Sequence, residues 1–372
     1  MKFRYLIAAV SCLYSPPAFA ADPATDPIAK FRSTIGDFQR ITTPDGVEEN
    51  FTADINGTKQ FVSVRGNHRG NPLILFIHGG PGAPELPISW AFQRPWEEYF
   101  TVVQWEQRAS GKTWPLNDSA AIAPTLTIEQ YRDDAIALIE QLIKRYGKRK
   151  VIVIGHSWGS IPGLMTAIKR PDIVHAYVGI GQIIDFREGE RIGYEQILKR
   201  AREDNNAQAV TELESLEPYP GNGAFDVDKI TVQRKWSIHY GYLTAGRDNP
   251  NAYFAMHHYS PAYDSDAIKA WGEGSAFTIE RLLPKLADVS FKDVKSLKVP
   301  VYMFLGRHDY TTPSDIVDQW VRDVRAPDKL SIWFEDSAHT IPTDEPGKAL
   351  LTLVTHVRQN ARGPGEHPAP LP

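Results

Sequence analysis

The chain has a single cysteine, Cys12, in 372 residues. One thiol cannot close an intramolecular disulfide or supply a cysteine metal site. No apolar run approaches the roughly 20 residues needed to cross a bilayer as a helix. Charge of one sign is also missing: 41 Lys and Arg stand against 45 Asp and Glu, a formal net charge of −4. With no basic stripe to neutralise phosphates, nucleic acid is not an expected partner. No internal repeat is visible.

The N-terminus is distinctive. Lys2 and Arg4, the apolar Leu6 to Val10 and the small-x-small Ala18-Phe19-Ala20 follow the order of a secretory signal peptide. Residues 1–20 are therefore expected to be cleaved after Ala20, giving a periplasmic or secreted protein. Cleavage would remove Cys12; Ala9-Val10-Ser11 is a poor site for lipid attachment at that cysteine. About 350 residues remain, more than one typical domain, which argues for a core with a sizeable insertion. The Pro- and Gly-rich tail, residues 363–372, has little to bury and is expected to be disordered.

Strand and helix patterns alternate in two separated regions. Strands are expected at Phe61–Arg65, Leu73–Ile77, Thr101–Trp105, Val151–Ile154 and Tyr177–Ile180, then at Pro300–Leu305 and Leu330–Phe334. Helices are expected from Thr127, with Gln130 completing a capping-box pattern, to a stop at Gly147, and over Ile161–Arg170, Ser314–Arg325 and Pro346–Asn360. Short, continuously apolar strands alternating with helices predict an α/β fold, a mostly parallel sheet with helices on both faces. The core is assigned to residues 21–186 and 297–362. Residues 187–296, charged at first and then rich in aromatics, read as an inserted helical cap over the end of the sheet where ligands bind.

Gly155-His156-Ser157-Trp158-Gly159 follows one strand and opens a helix, the setting in which G-x-S-x-G forms a nucleophile elbow. A serine hydroxyl needs a base, and the base an orienting acid. In this chain order the acid precedes the histidine: Asp309 lies just past the strand ending at Leu305, and His339 just past the one ending at Phe334. Asp185 is the rival acid. His156 reads as structural. The anion formed during acyl transfer needs backbone donors. Trp158 N–H is one; Gly80 N–H, or Gly79, in His78-Gly79-Gly80-Pro81-Gly82 is the other.

That run, together with Glu106-Gln107-Arg108-Ala109, the elbow and Gly306-Arg307-His308-Asp309, resembles the proline iminopeptidase family of α/β-hydrolases. The resemblance covers the core well and the cap poorly. It implies the α/β-hydrolase fold, a Ser157–His339–Asp309 triad, an oxyanion hole at Gly80 and Trp158, no cofactor, and release of an N-terminal residue, often proline, from peptides. Three places depart from the family: Glu106 and Ala109 where Asp and Gly are usual, His156 where the elbow usually has Gly, and Trp236-Ser237-Ile238-His239-Tyr240 where a cap Trp-Glu pair would bind the substrate's ammonium. Asp185, Glu188, Glu190 and Glu273 could substitute, with Trp236, Tyr240 and Glu188 as candidate substrate-binding residues. Small-ester hydrolysis, as a carboxylesterase or lactonase, is the alternative. Epoxide hydrolases and dehalogenases on this fold use an Asp nucleophile, against which Ser157 argues. Adjacent His257-His258 diverge, so no metal site is expected.

Overall fold

The computed structural model describes residues 26–249 and 251–361. The expected signal peptide and the tail after Ala361 lie outside the described residues. Eight strands form one sheet: β1 (Val47–Ile55), β2 (Thr58–Gly66), β3 (Leu73–Ile77), β4 (Thr101–Trp105), β5 (Val151–His156), β6 (Val174–Ile180), β7 (Val301–Gly306) and β8 (Lys329–Phe334). Their spatial order is β1-β2-β4-β3-β5-β6-β7-β8. The last six strands in that order run parallel, while β1–β2 and β2–β4 are antiparallel.

The apolar runs divide between two faces. Leu73, Leu75 and Ile77 of β3 join one core with Val151 and Val153, while Ile74 and Phe76 join another with Ile152 and Ile154. A strand buried on both sides has no polar face, which is why these segments do not alternate. Each such side chain contributes about 1.5–3 kcal/mol through burial.

The helix Ile128–Tyr146 ends as expected, with Gly147 left-handed at φ 64°. Its start differs. Thr127 Oγ1 accepts from Gln130 N at 3.2 Å, but the Gln130 side chain donates to Asp134 instead of turning back to the cap. The buried Asp134 carboxylate draws donors from Arg108, Gln60 and Asn56 as well, and this network claims Gln130. β1 was not expected; the polar Glu48-Glu49-Asn50 interrupts its pattern. It pairs along β2 through a turn at Asn56-Gly57, both at positive φ. The stretch expected as one helix from Pro346 to Asn360 is helical to Thr352, widens over Leu353–Val357 and tightens over Arg358–Ala361.

Between β6 and β7 the chain runs through the helices Phe186–Glu203, Ala207–Glu214, Val227–His239 and Ser265–Leu282, with no strand among the described residues. No helix of the described residues is long and apolar enough to cross a membrane.

Candidate active site

The carboxyl ends of β3, β5, β6, β7 and β8 converge at one edge of the sheet, where open α/β folds hold ligands. Ser157 stands at the end of β5 with φ 54°, a left-handed conformation rare for a side-chain-bearing residue. Such strain persists only where the surroundings fix it, and here two glycines do. A Cβ on Gly155 would lie 2.6 Å from Gly159 O, and one on Gly159 would lie 2.0 Å from Ile77 O. The turn is therefore clamped between β3 and the helix Ser160–Lys169, with Ser157 half-buried at its tip.

His339 and Asp309 are both nearly inaccessible, at 3% and 2% exposure. His339 Nδ1 lies 2.9 Å from Asp309 Oδ2. Asp309 Oδ1 accepts from the N–H groups of Thr311 and Thr312 at 2.9 and 2.8 Å, and Thr312 Oγ1 donates to Oδ2. The carboxylate is thus held in place and holds the ring with its Nδ1–H toward it. The Ser157 hydroxyl makes no hydrogen bond among the described residues, to His339 or to any other group. The rival acid Asp185 is occupied elsewhere. It caps Glu188 N at 2.8 Å and pairs with Lys292.

Gly79 lies beside Ser157, with Gly80 next in the same loop. A Cβ on Gly79 would lie 3.0 Å from Ser157 Cβ, and Gly80, at φ 113°, has no room for one beside Gly82 N and Ala83 N. The Gly80 N–H has no hydrogen-bond partner among the described residues. The Trp158 N–H stands in the first turn after the elbow, where N–H groups lack intrahelical acceptors. Two donors and one hydroxyl so arranged can bind a carbonyl and stabilise the oxyanion formed from it.

The Glu106-Gln107-Arg108 segment after β4 ties these loops together. Gln107 Nε2 donates to His78 O at 2.8 Å, and Gln107 Oε1 accepts from Trp158 Nε1 at 2.9 Å. Gln107 N donates to His78 Nε2, while His78 Nδ1 faces Gly79 O, so the ring is neutral with its proton on Nδ1. Burial, the largest effect on it, pushes His78 down to about 3. Arg108 forms a fully buried pair with Asp134.

His156 is buried. Its Nδ1 meets Glu85 Oε1, and its Nε2 lies 3.1 Å from His339 O. Burial opposes its charge, but the Glu85 carboxylate outweighs that and holds it above its ordinary range. Glu85 had not been singled out from sequence, although it follows the glycine run by three residues.

The cap candidates are drawn into other contacts. Trp236 Nε1 donates to Glu212, the Tyr240 hydroxyl accepts from Asn206, and Glu188 pairs with Lys292. None of these contacts involves Ser157, Asp309 or His339. Other residues of the insertion do reach the site: Leu243 O accepts from His339 N and Thr340 N, and Ser237 Oγ meets Thr311 Oγ1. No group of three His, Cys, Asp or Glu among the described residues is arranged to hold a metal ion.

Residues 72–346 match the family model for the alpha/beta hydrolase fold, and the chain belongs to that family. It is 31% identical over 310 residues to the probable aminopeptidase YbaC of Bacillus subtilis, covering 82% of this chain and 95% of that protein. A proline iminopeptidase of Neisseria gonorrhoeae is 36% identical over 113 residues, 30% of this chain and 33% of that one. Among solved structures, a proline iminopeptidase of Mycobacterium smegmatis shares the fold with a TM-score of 0.60, covering 84% of this chain and 99% of that one, at 18% identity.

Proposed function

We propose that this hydrolase is an exported serine aminopeptidase, which releases the N-terminal residue of peptides through an acyl-enzyme. The observation that carries the reading is the strained Ser157 at the elbow, with Asp309 on the loop two strands away and His339, bound to it, on the loop of the third. Ser157 Oγ attacks the scissile carbonyl while His339 Nε2 takes its proton. Asp309 keeps the ring's other proton on Nδ1 and stabilises the cation that forms. The Gly80 and Trp158 N–H groups, with Gly79 alongside, receive the oxyanion. His339 then protonates the leaving amine, and a water deprotonated by the same ring hydrolyses the acyl-enzyme. The insertion after β6 roofs the pocket, and the N-terminal leader directs export.

Similarity to a probable aminopeptidase along almost all of that relative's length favours peptides over esters as substrate. Turnover of a prolyl arylamide with a free amine by the purified protein, lost on Ser157→Ala, is the expected result. Cleavage of p-nitrophenyl acetate with no cleavage of any aminoacyl arylamide would make it a carboxylesterase instead.

A further inference from the structure

An enzyme that removes N-terminal residues must take a protonated amine into its site, and burying that charge without an opposite one costs several kcal/mol. The cap carboxylates offered by sequence are engaged. Asp185 and Glu188 share Lys292, Glu190 is closed by Arg234 and the Tyr219 hydroxyl, and the exposed Glu273 stands near Lys269 and the Trp114 indole.

Glu85 is different. It is 4% exposed, and its two oxygens are in unequal surroundings. Oε1 faces His156 Nδ1, while His156 Nε2 faces the carbonyl oxygen of His339. Both ring nitrogens meet acceptors, so both carry protons, and Glu85 is the counter-charge. Oε2 is buried with no hydrogen-bond partner among the described residues. A buried acceptor left without a donor is costly, and more so when charged. That oxygen keeps its capacity to accept an N–H.

Gly79 relates the carboxylate to the nucleophile. The point where a Cβ on Gly79 would stand is 3.0 Å from Ser157 Cβ and 3.7 Å from Glu85 Oε1. The carboxylate therefore lies across one glycine from the nucleophile. In a peptide the terminal nitrogen is two bonds, about 2.5 Å, from the first carbonyl carbon. A carbonyl seated on Ser157 puts its own residue's amine within reach of Glu85. Aromatic residues flank that loop: Trp271 Nε1 donates to Pro84 O at 3.2 Å, and His257 packs tilted against the Trp271 ring, with centroids 4.6 Å apart.

We propose that Glu85 Oε2 binds the protonated α-amine of the substrate, so that substrates are peptides and amides with a free terminal amine and cleavage falls after the first residue. This rests on the aminopeptidase reading and names the group that would enforce it. Glu85 then bridges two cations, the His156 imidazolium and the substrate ammonium, and a blocked amine forfeits the contact.

The test compares wild type with Glu85→Gln on prolyl p-nitroanilide, its N-acetylated form and p-nitrophenyl acetate, with prolinamide as an inhibitor of ester turnover. In wild type kcat/KM for the free amine exceeds that for the acetylated amide at least 100-fold. Glu85→Gln lowers that ratio at least tenfold through KM, and weakens prolinamide inhibition to a similar degree. An unchanged ratio, or an equal loss on all three substrates, overturns the proposal. If wild type cleaves neither amide, the aminopeptidase reading fails and prolinamide alone decides: inhibition weakened by Glu85→Gln sustains the amine site, and equal or absent inhibition removes it. Fluorophosphonate labelling of Ser157 checks folding. Should Glu85→Gln not fold, Glu85→Asp keeps the charge one methylene back and is expected to retain amine selectivity with a raised KM; loss of selectivity in folded Glu85→Asp overturns the proposal.

Discussion

The imidazole of His339 rests directly on Gly181, just past the carboxyl end of β6: a Cβ on that glycine would stand 2.6 Å from Cε1 and 2.8 Å from Nδ1. Gly181 is also left-handed, at φ 54°. The His339 ring is therefore seated by the absence of a side chain as much as by Asp309. Gly181→Ala is expected to displace the ring, lowering kcat about 100-fold as misplacements near 1 Å do, and to add about 1–2 kcal/mol of backbone strain. Steady-state kinetics on a prolyl arylamide, beside a urea unfolding curve, separate the two effects. Wild-type kcat in the variant would show that the ring does not depend on this contact.

Gln107 joins the glycine loop to the elbow. Gln107→Leu removes the donor to His78 O and the acceptor for Trp158 Nε1. Each buried group left unpaired costs about 1–3 kcal/mol. With the two oxyanion donors no longer braced, kcat is expected to fall about 10- to 100-fold, less than the loss of a donor outright, with KM little changed. A rise in KM alone would contradict this role.

Glu106 links β4 to the insertion through the Tyr263 hydroxyl at 2.7 Å, and also accepts from the nearby Lys112 N–H. Burial is the largest influence and pushes its carboxyl up to about 7, against the lowering hydrogen bonds from Tyr263 and Lys112. A carboxyl held above its unfolded value of 4.5 favours the folded state fully below pH 4.5, and that contribution is lost as pH rises through about 7. The loss is on the order of 3 kcal/mol. Stability of wild type relative to Glu106→Gln, from urea curves at steps between pH 4.5 and 7.5, is expected to decline across that window. A flat difference would mean that the carboxyl titrates in the folded protein as it does in the unfolded chain.

Arg108 and Asp134 are buried at 1% and 0% side-chain exposure. Arg108→Met leaves the carboxylate without its charge partner, and the expected destabilisation is about 3–5 kcal/mol. A urea midpoint within error of wild type would show that Gln60, Asn56 and Gln130 suffice for Asp134.

The parallel core was legible because its strands are apolar runs ended by glycine or polar residues: Leu73–Ile77 and Thr101–Trp105 have the expected bounds. β1 was not read, although Asn56-Gly57 is a strong hairpin signal; the polar run Glu48-Glu49-Asn50 hid it, since an edge strand needs only one apolar face. Chain order and loop position made the elbow, Asp309 and His339 candidates, and the structure shows the strained turn at Ser157 and brings Asp309 and His339 to 2.9 Å. The Glu85–His156 contact was not legible, since it joins residues more than 70 apart in the chain. Aromatic content likewise did not tell cap-core residues such as Trp236 from ligand-facing ones, because both are apolar and enclosed.

The central claim is that Ser157 is a nucleophile activated by His339. Wild-type protein treated with a fluorophosphonate and digested for mass spectrometry is predicted to carry the adduct on the peptide holding Ser157, with none on Ser157→Ala and labelling at least 100-fold slower on His339→Gln. An unmodified Ser157 in folded wild-type protein, or a rate unaffected by His339→Gln, would contradict the account.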